Sequence, residues 1–270
     1  MNPNQVVSNE VASETESFFD GYGRCIPTGL SAEVHDKTRR YFGFAQAMID
    51  YADIHARLNK HLGISGGISA AEFEQRAEAI LKKLRDDPQT SSITQGVAVP
   101  FFLPTADYAD YGDTLEGVYL HAVQSAFAEK LPDYLFVNHH KGGLAGKLSV
   151  APQSRHQRLL AAMQQDQVVG YFFPCLTEYS IPATLEQMSK LPEQFLLAGG
   201  FDTSAALIGS PDLMLRTDGY PPLLWLAALF GEKENVGYHF EAYGYNLTFN
   251  RRPHFGKAAE YWASGLVVLG

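Results

Sequence analysis

A short turn near the start of the chain carries the residue types that bind phosphate groups. An apolar run at 17–19 leads into Asp20-Gly21-Tyr22-Gly23-Arg24. Two glycines one residue apart let the backbone approach a ligand and direct N–H groups at phosphate oxygens. Arg24 would add a fork of charged donors, and Asp20 could hold a divalent cation or accept a hydrogen bond. An ordinary turn that uses Asp and Gly for their geometry is the alternative.

More potential donors follow this turn. They are His35, Lys37, Arg39 and Arg40. They fall at or near the start of a predicted long helix, and a helix N-terminus favours anions. A solvated basic face would have the same composition, so both interpretations stay open.

A second candidate segment lies late in the chain. It reads Pro211-Asp212-Leu213-Met214-Leu215-Arg216-Thr217-Asp218-Gly219-Tyr220. We interpret 211–216 as an apolar strand from which Arg216 emerges into a ligand crevice. Burying an unpaired guanidinium costs several kcal/mol, so Arg216 is expected to face a ligand or to pair with Asp212 or Asp218.

The hydrophobic pattern predicts the elements that position these segments. Helices are predicted at 32–62, 70–84, 114–130, 152–165 and 183–188, strands at 96–104, 133–138, 167–174 and 211–216, and an apolar helix or strand at 223–229. Strands that alternate with helices indicate an open α/β fold with a mostly parallel central sheet flanked by helices. We expect a flexible lead at 1–16 and one domain at 17–270. Ligands of such sheets bind beyond the carboxyl ends of the strands, which draws attention to the residues after Phe19, Phe102, Phe173 and Leu215.

Composition narrows the class of partner. The net charge of −9 argues against nucleic acid, which needs a concentrated basic face. Two cysteines in unrelated contexts predict neither a disulfide scaffold nor a zinc site. The sequence has no long apolar run and no visible export signal, so we expect a cytoplasmic protein without a transmembrane segment.

The two candidate segments together resemble the motifs of the cis-prenyltransferase family, of which undecaprenyl-diphosphate synthase is an example. That family carries D-G-N-G-R-W early and D-L-x-I-R-T-x-G-E-x-R-x-S-N-F-L-L-W late, and this chain has 20–24 and 212–220 in the same order, followed by Leu223-Leu224-Trp225. His35 falls roughly where the family has the His of G-H-x-x-G. The strand ending at Phe102 falls where the family has its substrate-lining F-S-x-E-N-W segment.

The resemblance implies a fold with a hydrophobic substrate tunnel, usually in a homodimer, and an isoprenyl diphosphate substrate with Mg²⁺. The residues that it implies are Asp20, Arg24 and Arg216 for catalysis, Gly21, Tyr22, Gly23, His35, Arg39, Arg40, Phe102 and Thr217 for substrate binding, and Asp20 and Glu232 for the metal. Glu232 is the nearest counterpart in spacing to the family's late glutamate.

The departures from the family motifs shape the predicted activity. The second Arg and the Ser that hold isopentenyl diphosphate are missing, because Tyr220-Pro221-Pro222 runs directly into Leu223. We therefore expect an enzyme that ionises an allylic diphosphate and converts or transfers the prenyl cation, as the terpene-forming relatives do. The alternatives are an ordinary chain-elongating enzyme and a catalytically silent partner subunit of the same family.

Overall fold

A central sheet joins strands from both halves of the chain. The computed structural model describes residues 17–35, 42–215, 219–244 and 246–270. Its strands are β1 (Val99–Leu103), β2 (Phe136–Asn138), β3 (Ser149–Val150), β4 (Val168–Thr177), β5 (Phe195–Leu197), β6 (Leu223–Trp225), β7 (Leu229–Phe230), β8 (Val236–Tyr243), β9 (Asn246–Pro253) and β10 (Trp262–Leu269). The order in the main sheet is β1-β4-β10-β6-β8-β9-β2, with β5 also paired to β10, while β3 and β7 form a separate pair.

The sheet is mixed, which corrects the prediction of a mostly parallel one. Among the described strands of the main sheet, five pairings are antiparallel and two, β6–β10 and β2–β9, are parallel. One reason is the tight β8–β9 connection, since strands joined by a short hairpin must run in opposite directions. The α/β class itself is confirmed.

Burial explains why β1 had the sequence pattern of a parallel strand. All five of its residues are buried. Phe102 in β1 stacks on His55 at 5.3 Å between ring centroids and meets Phe73 edge-on at 5.4 Å. A continuous apolar run therefore indicates that both faces of a strand are buried. It does not indicate whether the neighbouring strand is parallel or antiparallel.

Seven α-helices surround the sheet in the described chain. They are α1 (Tyr51–Leu62), α2 (Ala70–Asp86), α3 (Tyr111–Thr114), α4 (His121–Lys130), α5 (Gln157–Met163), α6 (Ile181–Met188) and α7 (Gly200–Gly209). The helix predicted at 70–84 is confirmed as α2. The helix predicted at 114–130 is confirmed as α3 and α4, joined through a π-helical turn at Leu115–Leu120. No helix in the described chain is both long and apolar enough to cross a membrane.

Two predicted elements differ in the structure. Of the helix predicted at 32–62, residues 36–41 lie outside the described residues. Within the described part the helix is present from Tyr51, where Asp50 caps it by accepting the N–H of Asp53 at 3.0 Å. Residues 42–50 form no helix, and Phe42 is paired with Tyr220 instead. Pro211–Met214 forms a 3₁₀ turn where a strand was predicted, as suits a proline that supplies no N–H to a ladder.

Candidate functional site

A groove opens beside the 20–24 turn and has two halves. The narrow half is a cavity of about 250 Å³ lined by Tyr22, Gly23, Arg24, Phe42, Gly43, Phe44, Gly96, Val97, Pro174, Cys175, Thr177 and Glu178. The wide half, of about 790 Å³, shares Tyr22, Phe44, Gly96 and Val97 with it. Its other lining residues are Gln46, Ala47, Ile49, Tyr51, Glu78, Leu81, Arg85, Thr94, Gln95, Ala98 and Tyr171.

Within the turn, Asp20 organises its neighbours. Its Oδ1 accepts the backbone N–H groups of Tyr22 at 2.9 Å and Arg24 at 3.0 Å. Its Oδ2 accepts Nε of Arg24 at 2.8 Å and lies 2.6 Å from Nη2. The Arg24 guanidinium also lies 5.5 Å from the centre of the Tyr22 ring. Asp20 therefore fixes both the turn and the direction of the Arg24 side chain.

The charge state of Asp20 follows from these contacts. Burial alone would raise its pKa, but the hydrogen bonds from the Arg24 side chain and from the two backbone N–H groups hold the pKa below its ordinary value. The carboxylate is thus ionised and already engaged at both oxygens. It positions Arg24, and its geometry does not suit the predicted role of Mg²⁺ ligand.

The two glycines of the turn differ in what they must do. Gly23 has a positive φ of 75°, and a Cβ there would lie 2.4 Å from the backbone nitrogen of Gly96. A Cβ at Gly21 would meet nothing within 4 Å. Gly23 is required for close packing of the turn against residue 96, whereas Gly21 leaves open space.

The last residue of the late segment pairs with a segment that lines the groove. Tyr220 forms a parallel bridge with Phe42, and its carbonyl accepts the N–H of Gly43 at 3.4 Å. Phe42 and Gly43 line the narrow half together with Arg24. Tyr220 at the end of the late motif is thus connected to the narrow half through Phe42 and Gly43, and it is not among the lining residues. The predicted site residues Arg39, Arg40, Arg216 and Thr217 lie outside the described residues.

Sequence reasoning missed Glu178 in the narrow half. This buried residue directly follows β4 and has a positive φ of 68°, an uncommon conformation for a side chain larger than glycine. His35 lies beside it, and its ring nitrogen Nδ1 is 3.6 Å from Oε1 of Glu178. The backbone N–H of His35 donates to the Glu178 carbonyl at 2.8 Å. An acidic residue at the end of an apolar strand was the available signal. His35 itself is not among the lining residues.

The two cysteines, assigned to unrelated contexts from sequence, are neighbours in space. The Cys25 N–H donates to the Cys175 carbonyl at 3.0 Å, and both side chains are buried as free thiols. Burial raises the pKa of Cys25 to about 12 and that of Cys175 well above its ordinary value. Both stay protonated at neutral pH, which makes them poor nucleophiles.

Two further predicted residues lie away from the groove lining. Phe102 is 1% exposed and belongs to the core between β1 and the helices α1 and α2. Glu232 is exposed in the connection between β7 and β8 and lines neither half. In the described ranges no group of three or more His, Cys, Asp or Glu side chains is placed to hold a metal ion.

The wide half has its own polar cluster. Tyr51 donates its hydroxyl to Glu78 Oε1 at 2.6 Å, and its oxygen lies 2.5 Å from the Tyr171 hydroxyl oxygen. Arg85 Nη1 lies 3.7 Å from Glu78 Oε2. Burial raises the pKa of both tyrosines, that of Tyr171 to about 12, so both hydroxyls keep their protons at neutral pH.

Main-chain groups of the wide half are held by a side chain. The Gln46 amide nitrogen donates to the Ala98 carbonyl at 3.0 Å, and the Ala98 N–H donates to Gln46 Oε1 at 2.9 Å. The Gln46 amide thus bonds Ala98, just before β1, as a neighbouring strand would. These two hydrogen bonds hold the segment around Gln46 in place as a wall of the groove.

Comparison of the chain with protein-family models, with curated proteins and with solved structures returns no match.

Proposed function

We propose that the groove binds an allylic isoprenyl diphosphate in its narrow half and ionises it. The observation that carries this proposal is that segments far apart in sequence flank one cavity. The 22–24 turn forms one wall, and Phe42 and Gly43, paired with Tyr220 of the late motif, contribute to the other. Apolar side chains such as Phe44 and Val97 line both halves, and the hydrocarbon chain would lie along them.

Arg24 has N–H donors that can bind the diphosphate end of such a ligand. A guanidinium offers five N–H donors, and Asp20 engages only Nε and Nη2 of Arg24. The remaining donors on a side chain already held in place can take phosphate oxygens without first being ordered. Because neither Asp20 nor Glu232 is arranged as a magnesium ligand, the mechanism proceeds through Arg24.

In the reaction, the bond between the prenyl carbon and the diphosphate oxygen breaks, and its electron pair leaves with the diphosphate. Arg24 stabilises the negative charge that develops on the leaving group. The aromatic rings of Tyr22, Phe42 and Phe44 line the same cavity, and their π faces stabilise the allylic cation.

The test is diphosphate release. The protein is incubated with ten-, fifteen- and twenty-carbon allylic diphosphates, with and without isopentenyl diphosphate, while released diphosphate and products are measured. Arg24→Gln is expected to slow release by about 100-fold, the effect of removing one group that stabilises developing charge. Arg158→Gln, in the exposed pair with Glu193, is the matched control and should leave the rate unchanged. Absence of release from every substrate would contradict the proposal, and a longer product with isopentenyl diphosphate would favour the elongating alternative.

A second candidate is a silent subunit that binds the lipid without chemistry. The close pairing of Arg24 with Asp20 favours it, because the charge of the guanidinium is partly neutralised before any ligand arrives. Calorimetric binding of an allylic diphosphate without its breakdown would support this candidate over the enzyme.

A further inference from the structure

The polar cluster of the wide half has only one consistent arrangement of protons. A carboxylate is an acceptor, so the Tyr51 hydroxyl must donate its single proton to Glu78. The contact of 2.5 Å between the two phenol oxygens then requires Tyr171 to donate to Tyr51. Tyr171 has no second proton to give. Its oxygen can only accept a hydrogen bond from whatever enters the groove.

The side chains around Tyr171 indicate what kind of group would carry the hydroxyl of a ligand. Ile49, Leu81 and Val97 supply apolar surface in the wide half, among polar side chains such as Arg85 and Gln95. Tyr171 lies on β4 with 1% of its surface exposed, and its ring stacks on Phe173 at 5.8 Å. Tyr51 begins α1 and packs edge-on against Phe73 of α2 at 5.7 Å. Both hydroxyls are therefore set on rigid elements, in a groove that offers a ligand both polar and apolar side chains.

We propose that the wide half is an acceptor site for an amphipathic alcohol, whose hydroxyl donates to Tyr171 and loses its proton along Tyr171, Tyr51 and Glu78. The transfer step rests on the proposed function, because the alcohol would capture the prenyl cation formed in the narrow half. Recognition of the hydroxyl does not depend on that reaction.

The step balances without another reactant. The alcohol oxygen forms a bond to the prenyl carbon whose bond to diphosphate has broken. The hydroxyl proton passes to the Tyr171 oxygen, the Tyr171 proton to Tyr51, and the Tyr51 proton to the Glu78 carboxylate. The products are a prenyl ether, free diphosphate and a protonated Glu78, which is about half exposed and returns its proton to water.

Binding is tested with octanol and its methyl ether, which differ in the hydroxyl donor. Isothermal titration calorimetry on the full chain should show octanol binding about tenfold more tightly than the ether, the effect of one hydrogen bond. Equal affinities, or binding of neither probe, would overturn the proposal.

Variants separate the members of the relay. Tyr171→Phe should weaken octanol to the affinity of the ether and leave the ether unchanged. Tyr51→Phe deprives Tyr171 of its acceptor, so the Tyr171 hydroxyl becomes free to donate and the ether should gain affinity relative to octanol. Tyr243→Phe, at a tyrosine that is 79% exposed, is the control that should preserve the preference of the unmodified protein. A Tyr51→Phe protein that is folded and keeps the full preference for octanol would contradict the relay.

Measuring ether formation alongside diphosphate release tests the acceptor site separately from the proposed ionisation of the diphosphate. With an allylic diphosphate and octanol, Glu78→Gln should lose at least tenfold in octyl ether formed per diphosphate released, since an amide cannot take up the proton. Glu74→Gln, on the same helix and exposed, should behave like the unmodified protein. If the unmodified protein releases no diphosphate, the proposed function fails and the octanol comparison still decides the acceptor site. If it releases diphosphate but discriminates no alcohol from its ether, the acceptor site alone fails.

Discussion

Two regions of the molecule contain nearly the same chemical groups and differ in access. In the groove, Tyr51, Tyr171 and Glu78 meet on the lining of the wide half. At the start of α7, Tyr111 and His156 lie 3.1 Å apart through Oη and Nε2, and Asp202 Oδ2 lies 3.8 Å from His156 Nδ1. The His156 and Asp202 side chains are 0% exposed.

The buried region is tied to the backbone. Asp202 accepts the N–H of Gly199 at 2.9 Å, and the N–H of Gly200 donates to Tyr111 at 2.8 Å. Burial lowers the pKa of His156 and raises those of Tyr111 and Asp202. Every residue of α7 is buried, so these groups hold a core helix in place. Residue types at hydrogen-bonding distance thus indicate chemistry only where a ligand can reach them.

The largest difference between the regions should appear on removing one carboxylate. Asp202→Ala leaves the Gly199 N–H without its acceptor in the core, and we expect the free energy of unfolding to fall by about 2–4 kcal/mol. Urea denaturation followed by circular dichroism measures this loss. Asp53→Ala, exposed in the first turn of α1, is the control and should cost less than about 1 kcal/mol. Equal losses would show that the buried cluster does not hold α7.

The two glycines of the 20–24 turn allow a smaller and sharper contrast. Gly23→Ala combines a positive φ with contact against the backbone of Gly96, so we expect a loss of about 2–3 kcal/mol. Gly21→Ala enters open space and should change the free energy of unfolding by less than about 0.5 kcal/mol. Thermal unfolding of both variants measures the difference. A tolerated alanine at 23 would mean that the turn does not pack on residue 96.

Sequence reasoning located the turn but not the contacts that define its role. The pattern Asp20 to Arg24 indicated a polar turn with close backbone approach, and the structure agrees at Gly23. It did not indicate that Asp20 and Arg24 pair with each other, because the spacing i,i+4 implies proximity only once the turn geometry is known. The predicted metal ligand is therefore better explained as a positioning carboxylate.

Other parts depended on long-range pairing that one sequence does not reveal. The helix at 70–84 was predictable because its apolar spacing and its cap Ser69 are local. Tyr51, Tyr171 and Glu78 come from three different elements, and only the packing of α1 and α2 on β4 brings them together. The place of β10 between β4 and β6 could not be predicted either, because this pairing joins strands that are far apart in the sequence.

The pH dependence should separate buried imidazoles from groove residues. Burial lowers the pKa of His254 below its ordinary 6.5, and its Nδ1 accepts the N–H of Gly256 at 3.0 Å. As the pH falls below 6.5, the unfolded chain binds a proton that the folded chain refuses, so stability decreases. The free energy of unfolding should therefore be lower at pH 5 than at pH 7. His254→Asn keeps a hydrogen-bond acceptor that does not titrate, so its stability should fall less steeply between pH 7 and pH 5. If the stability of this variant fell as steeply as that of the unmodified protein, His254 would not be the source of the pH dependence.

The smallest expected effect concerns the wall of the wide half. Gln46→Ala removes the amide that bonds both main-chain groups of Ala98, and one or two partly exposed hydrogen bonds should cost about 1 kcal/mol. Loss of the wall should be local, so amide hydrogen exchange at Ala98 should accelerate about fivefold while α7 stays protected. Gln95→Ala, whose exposed side chain lines the same half, is the matched control. Because the wall also encloses the apolar space around Tyr171, the Gln46 variant should weaken octanol and its methyl ether equally. If the ratio of the octanol affinity to the ether affinity changed instead, then Gln46, and not the tyrosine relay, would be the group that recognises the hydroxyl.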